Sequence, residues 1–156
     1  MFKRKARILF LCTGNSCRSQ MAEGYAKALG ADWLDVRSVG IEAHGKNPRA
    51  IAVMREDGVD ISSQESNIVD DEMIKWADLI VTVCGHADEN CPATPATTRK
   101  KHWPLPDPAK ATGTDDEIMQ EFRSVQKEVK RRILSMIAGM KMISCETESK
   151  GNSTLD

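Results

Sequence analysis

The sequence of 156 residues lacks the features that direct a protein to a nucleic acid or a membrane. Its 22 basic and 23 acidic residues nearly cancel, which leaves a net charge of -1 and no basic excess for a nucleic acid. The apolar run near its start, residues 8–11, is too short for a signal peptide or a membrane span. We therefore expect a cytoplasmic protein with neither a nucleic acid nor a membrane as a partner.

Zinc-binding pairs and nucleotide-binding loops are also absent from the sequence. It contains no H-x3-H or C-x2-C pair and no G-x-x-x-x-G-K-[ST] loop. Its cysteines are five in number, at positions 12, 17, 84, 91 and 145. Because cytosolic cysteines stay reduced, we expect thiols with a role in catalysis, redox chemistry or metal binding rather than structural disulfides.

Apolar periodicity and turn residues predict strands that alternate with helices. Strands are expected at 7–11, 33–39, 79–83 and, as an edge strand, 99–103. Helices are expected at 18–29, from 48 to Gly58 with Asn47 as the N-cap, at 70–77, and from the capping box at 114–117 to about Gly139. This order predicts an α/β fold: a single-domain, three-layer sandwich of a four-stranded parallel sheet and flanking helices over 1–143. The polar segment 144–156 is expected to be a disordered tail.

The stretch CTGNSCRS, residues 12–19, follows the first predicted strand and leads into the first helix. A short loop of small residues there can turn its backbone N–H groups inward, and the helix adds the positive end of its dipole. Arg18 adds a planar fork for two oxygens of a tetrahedral anion. The same field stabilises a thiolate at Cys12, which becomes a nucleophile, and Ser19 can donate its hydroxyl to that sulfur. The alternative reading is a buried Cys12 beside a surface salt bridge of Arg18.

Four stretches of the chain carry a resemblance to a known family. The sequence resembles the low-molecular-weight tyrosine phosphatase fold over about 7–138, and within it the thioredoxin-coupled arsenate reductases. The stretches are CTGNSCRSQMAEG (12–24), GIEAHGKNPRA (40–50), VTVCGHADENCP (81–92) and HWPLPDPA (102–109). The resemblance implies that the loop binds the oxyanion arsenate through Thr13, Gly14, Asn15, Ser16, Cys17 and Arg18.

The two downstream cysteines decide which reaction this resemblance implies. A phosphatase would resolve the Cys12 adduct with water, whereas an arsenate reductase would use Cys84 to expel arsenite and Cys91 to take over the disulfide. The polar segment 85–90 between them is expected to rearrange. Thioredoxin is the expected electron donor, with glutaredoxin or another thiol as the alternative. Ordinary structural positions for Cys84 and Cys91 are the competing interpretation.

Asp107 lies between two prolines, which stiffen the turn and hold its carboxyl group out. We expect it to protonate the departing oxygen of the oxyanion, and the alternative is a turn aspartate with no chemical role. Cys17 is expected to be a packing residue, and Cys145 to be incidental.

No tightly bound cofactor is expected, but the resemblance implies a potassium ion beside the loop. Asn15, Glu23 and Ser38 match the positions used for it, whereas Asn67 replaces the acidic residue of that pattern. We expect a monomer. Two other functions remain open from the sequence: a tyrosine or small-molecule phosphatase with the same loop, and a thiol-based redox sensor or arsenite-binding module.

Overall fold

The computed structural model describes residues 4–155, with side chains over 4–141. Four strands form one parallel sheet in the order β2-β1-β3-β4. The strands are β1 (Ala6–Cys12), β2 (Leu34–Gly40), β3 (Leu79–Thr82) and β4 (Arg99–His102). The helices are α1 (Arg18–Gly30), α2 (Pro48–Glu56), α3 (Asp71–Trp76), α4 (Gly85–Glu89) and α5 (Asp115–Leu155). The predicted single α/β domain with a four-stranded parallel sheet is confirmed.

Strand β1 lies at the centre of the sheet because its side chains are apolar on both faces. Residues 8–11 are fully buried, as expected for a strand of a parallel sheet that is covered on both sides. It pairs with β2 and β3 in a register that places Cys12 opposite Gly40 and Leu11 opposite Thr82. The carboxyl ends of the three strands therefore meet at one edge, where such sheets bind ligands.

The long helix α5 packs against α1 and α2 through one apolar stripe. Its buried residues recur at helical spacing and are Phe122, Val125, Val129, Ile133 and Ile137. Tyr25 of α1 donates to Asp57 at the end of α2, and Gln126 of α5 donates to the same tyrosine hydroxyl, both at 2.8 Å. Among the described residues, no helix is long and apolar enough to cross a membrane.

Helix starts follow the predicted caps. Asn47 accepts a hydrogen bond from the amide of Arg49, and Pro48 is the first residue of α2. Thr114 accepts from the amide of Glu117 at 3.2 Å, as the capping box predicts. Gly58 has a φ of +78°, the left-handed conformation in which glycine ends a helix.

Two segments differ from the sequence predictions. Residues 85–89, expected to be a weakly anchored loop, form α4, because Ala87 is fully buried and Asp88 accepts from the Thr82 hydroxyl at 3.0 Å. Helix α5 continues past Gly139 to Leu155, since Gly139 does not adopt the left-handed conformation that would end it. The disordered tail predicted at 144–156 falls where the structure describes no side chains, and it stays a prediction.

Candidate active site

The loop between β1 and α1 is held from outside by the loop that follows β2. Its carbonyl groups accept from the amides of that second loop: Cys12 from Ile41 at 3.0 Å, Thr13 from Glu42 at 2.7 Å, and Gly14 from His44 at 2.9 Å. With these carbonyls turned outward, the N–H groups of the loop are available on its inner side. The amide of Asn15 does point inward, since it donates to the Cys12 sulfur at 3.1 Å. The loop is thus a nest for an anion.

Cys12 is 3% exposed, and its sulfur has two hydrogen-bond partners. The first is the Asn15 amide, and the second is the Ser19 hydroxyl at 2.9 Å. The Asn15 side-chain amide donates to the same hydroxyl at 2.8 Å. Ser19 accepts from Asn15, and when Cys12 is a thiolate, which has no proton to give, the Ser19 hydroxyl donates to that sulfur. The predicted role of Ser19 as a donor to this sulfur therefore has a geometric basis.

Asn15 shapes the loop as well as bonding to Ser19. It is fully buried, and its φ of +49° lies in the left-handed region that asparagine tolerates better than most residues. Its side-chain oxygen accepts from the amide of Asn67 at 2.9 Å, and its backbone oxygen accepts from Gln20 at 3.1 Å. The strained conformation is therefore held from several directions, as is common at functional sites.

A cavity of about 150 Å³ opens above the Cys12 sulfur. Its lining comprises Cys12, Thr13, Gly14, Ser16, Cys17, Arg18, His44, Asp107 and Ala109. Arg18 donates to the carbonyl of Leu105 at 3.0 Å, and its other terminal nitrogen lies 3.7 Å from the Asp107 carboxylate. Asp107 also accepts from the amide of Ala109 at 3.0 Å. The Cys12 sulfur, a guanidinium group and a carboxyl group thus face one small polar space, whose size and charge suit a tetrahedral oxyanion.

Cys84 touches the anion loop directly. It follows β3, is 7% exposed, and its sulfur lies 3.2 Å from the hydroxyl oxygen of Thr13. The same sulfur accepts from the amide of Ala87, which caps α4. Cys91 lies beyond that helix and is half-buried, and burial raises the pKa of its thiol while the charge of Lys100 opposes this rise. Among the cysteines with described side chains, all four are free thiols.

Cys17 has surroundings unlike those of Cys12, although both line the cavity. It is the N-cap residue of α1 and 5% exposed. Burial raises the pKa of its thiol to about 11, and a hydrogen bond with Ser16 opposes this shift only in part. A group that stays protonated at neutral pH fits the packing role predicted for it.

The sequence did not indicate two participants in this site, His44 and the Leu105 carbonyl, or the contact of the Thr13 hydroxyl with Cys84. His44 lines the cavity, with its ring close to Gly14 and its Nε2 atom 2.5 Å from a Glu42 carboxylate oxygen. The Leu105 carbonyl fixes Arg18, and the Thr13 hydroxyl reaches Cys84. Only His44 carried a usable signal, because its loop follows β2 and parallel strands end at a common edge.

The three residues predicted to hold potassium lie together, but their polar atoms are bonded to one another and to their neighbours. Ser38 donates to one oxygen of Glu23 and accepts from the Asn15 side-chain amide at 3.0 Å. The other oxygen of Glu23 accepts from the Lys27 ammonium group at 2.5 Å. The carboxylate that would neutralise a cation is already neutralised, so this arrangement does not fit an added potassium ion.

Comparisons with known proteins identify relatives over most of the chain. A protein 57% identical over 130 residues, named arsenate reductase, comes from Halalkalibacterium halodurans; the match covers 83% of this chain and 93% of that protein. Another of the same name, from Bacillus subtilis, is 53% identical, with 81% and 91% covered. A solved arsenate reductase in its phosphate-binding state superposes with a TM-score of 0.71 and 37% identity, over 86% of this chain and 98% of that one. The model of the low molecular weight phosphotyrosine protein phosphatase family matches residues 7–144, and the chain belongs to this family.

Proposed function

We propose that this protein is an arsenate reductase that uses Cys12, Cys84 and Cys91 as a disulfide relay. The relatives named arsenate reductase at 53% and 57% identity support the substrate. The observation that carries the proposal is the contact of the Cys84 sulfur with Thr13 of the anion loop, 3.2 Å away. Hydrolysis needs no second thiol beside the loop, whereas reduction does.

The first step uses the chemistry that the whole family shares. Arsenate binds in the nest, with two of its oxygens on Arg18, and the Cys12 thiolate attacks arsenic. One arsenate oxygen leaves as water after Asp107 gives it a proton. The bond formed is sulfur–arsenic, and arsenic is still pentavalent.

The second step is the reduction. The Cys84 thiolate attacks the Cys12 sulfur, and the electron pair of the sulfur–arsenic bond leaves with arsenic. Two thiolates are thereby oxidised to the Cys12–Cys84 disulfide, and As(V) is reduced to As(III), which departs as arsenite. Strands β1 and β3 are direct neighbours, so the two cysteines follow adjacent strands at the same edge.

The third step moves the disulfide toward the surface. The Cys91 thiolate attacks the Cys84 sulfur, releases Cys12 as a thiolate and leaves a Cys84–Cys91 disulfide. Cys91 is more exposed than the other two cysteines, so this product is the one a partner protein can reach. We propose thioredoxin as that partner, acting on a monomer in the cytoplasm, where disulfides are kept reduced.

Arsenate-dependent oxidation of NADPH tests the proposal. The protein is assayed with thioredoxin and its reductase and, in parallel, with glutathione and glutaredoxin. We expect sustained turnover with thioredoxin and none for Cys12→Ser. Turnover with glutaredoxin alone would contradict the choice of reductant. Rapid hydrolysis of an aryl phosphate without arsenate reduction would replace the proposed function with that of a phosphatase.

A further inference from the structure

Lys27 forms an ion pair that is unusual for a surface lysine. It lies one helical turn after Glu23 on α1, and its Nζ atom is 2.5 Å from a carboxylate oxygen of that residue. The lysine side chain is 53% exposed, whereas the Glu23 side chain is only 8% exposed. A carboxylate that far from water needs a compensating charge, because desolvation is costly for an unpaired ion. Lys27 provides that charge from the solvent side.

Glu23 begins a chain of hydrogen bonds, here called the bracing chain, that runs through Ser38, Asn15 and Ser19 to the Cys12 sulfur. Ser38 has one proton and gives it to Glu23, so it must accept from the Asn15 amide. This turns the amide nitrogen of Asn15 toward both serines and its oxygen toward Asn67. Each member fixes the direction of the next bond.

We propose that Lys27 is a positioning residue, whose ammonium group acts as a tethered cation for the bracing chain and makes a bound potassium ion unnecessary. The charges of the region agree with this. Lys27 neutralises Glu23, Asn67 is uncharged, and the other two charged residues that line the neighbouring cavity, Glu65 and Arg37, are of opposite sign. A surface cavity of about 280 Å³ lined by Glu23, Lys27, Ser38 and Asn67 provides room for a cation once the lysine is shortened.

An ordinary pair of charges one turn apart on a helix would not have this effect. Such pairs are solvated at both ends and contribute little. Here the acceptor is buried and its second oxygen orients the bracing chain, so loss of the ammonium group reaches Ser19 and Cys12. The inference rests on the proposed function only where arsenate turnover is the readout.

The kinetic test compares potassium chloride with choline chloride at equal ionic strength. The wild-type protein should reduce arsenate with the same kcat/KM in both salts. Lys27→Ala should lose about tenfold in kcat/KM in choline chloride, the effect of one charge-assisted hydrogen bond, and recover in potassium chloride. Lys27→Arg should behave as the wild type. A wild-type protein that needs potassium, or a Lys27→Ala variant that is fully active in choline chloride, would overturn the proposal.

The second readout needs no arsenate reduction. Potassium should raise the melting temperature of Lys27→Ala but not that of the wild type. Lys130→Ala is the control, because Lys130 pairs with Asp57 outside the site and its loss should give no response to potassium. If potassium does not change the melting temperature of Lys27→Ala, the tethered-cation role is refuted. If the wild-type protein does not reduce arsenate, the proposed function is refuted instead. The thermal test of Lys27 is still valid in that case, because it does not depend on arsenate reduction.

Discussion

Cys12 and Cys17 share one loop, yet the residues around them give the two thiols different chemistry. The Cys12 sulfur accepts a hydrogen bond from the Asn15 amide and lies 2.9 Å from the Ser19 hydroxyl oxygen, so donors are available to a negative charge on this sulfur. Cys17 is desolvated, and this raises the pKa of its thiol to about 11. At the scale of single residues, the nucleophile is thus chosen by the donors around a sulfur rather than by its place in the loop.

Alkylation tests this difference. At pH 8, a thiol with a pKa of about 11 is ionised in about one molecule in a thousand, so iodoacetamide should leave Cys17 unmodified while it labels Cys12. Peptide mapping by mass spectrometry gives the extent of labelling. Both residues should react once the protein is unfolded in urea. Equal labelling of the two in the folded protein would contradict the account.

Asp107 is the other residue whose role can be isolated. Asp107→Asn keeps a similar shape and can still accept from the Ala109 amide, but it cannot protonate the leaving oxygen. We expect kcat/KM for arsenate to fall about a hundredfold, as for the loss of a general acid. The affinity for phosphate, measured by calorimetry, should stay unchanged. An unchanged rate across the pH range would exclude the acid role.

At the scale of elements, α4 lies between the last two thiols of the relay along the chain. Cys84 caps this helix, its residue Ala87 is buried, and the Thr82 hydroxyl donates to Asp88. We expect these contacts to loosen when Cys91 attacks Cys84. The element is short and held by few bonds, as expected of a segment that opens locally.

Asp88→Ala tests that restraint. Loss of one hydrogen bond of about 1 kcal/mol should make amide exchange over residues 85–90 about fivefold faster. The Cys84–Cys91 disulfide should also form faster. Glu89→Ala, a change at the neighbouring exposed position, is the control. Identical exchange in Asp88→Ala and the control would show that this bond does not restrain α4.

The sequence predicted the elements whose signals are local. The apolar run of β1, the Asn47 cap of α2 and the capping box of α5 each lie within a few residues. Helix α4 was missed because it has five residues and is capped by a cysteine sulfur, which no standard capping pattern includes. The end of α5 was predicted too early, because a single glycine ends a helix only when it adopts the left-handed conformation, and Gly139 stays helical.

In the candidate site, too, the residues that the sequence predicted are those whose signal is local. Cys12, Arg18 and Ser19 occur in one continuous stretch, so their spacing predicted an anion loop. The Leu105 carbonyl and His44 reach the loop only through the tertiary fold, and a backbone carbonyl carries no side-chain signal. The prediction of a potassium site considered the residues that would bind the ion but not Lys27, whose ammonium group pairs with Glu23.

At the scale of the whole molecule, Asp57, at the end of α2, links that helix to α1 and α5. Its carboxylate accepts from Lys130 of α5 and from Tyr25 of α1, both at 2.8 Å. These hydrogen bonds lower the pKa of Asp57, with that of Lys130 the larger cause. A lowered pKa in the folded state means that the stabilisation is present above the ordinary aspartate pKa and is lost as the pH falls.

Asp57→Asn should therefore reduce the free energy of unfolding at neutral pH by about 1 kcal/mol, a modest amount because the carboxylate is a third exposed. The difference from wild type should shrink as the pH falls through the folded-state pKa of Asp57. Urea titrations at several pH values measure it, with Asp35→Asn, at an exposed position of β2, as the control. A difference that grows in acid would contradict the sign of the effect.

The central claim, that three thiols pass one disulfide from the anion loop outward, is tested most directly by a single turnover of Cys91→Ser. Excess arsenate is added to the reduced protein without a reductant, and arsenite and disulfides are quantified. The relay predicts one arsenite per protein molecule, a Cys12–Cys84 disulfide by peptide mapping, and no further turnover when thioredoxin is supplied. Repeated turnover of Cys91→Ser with thioredoxin, or arsenite release without a Cys12–Cys84 disulfide, would contradict it.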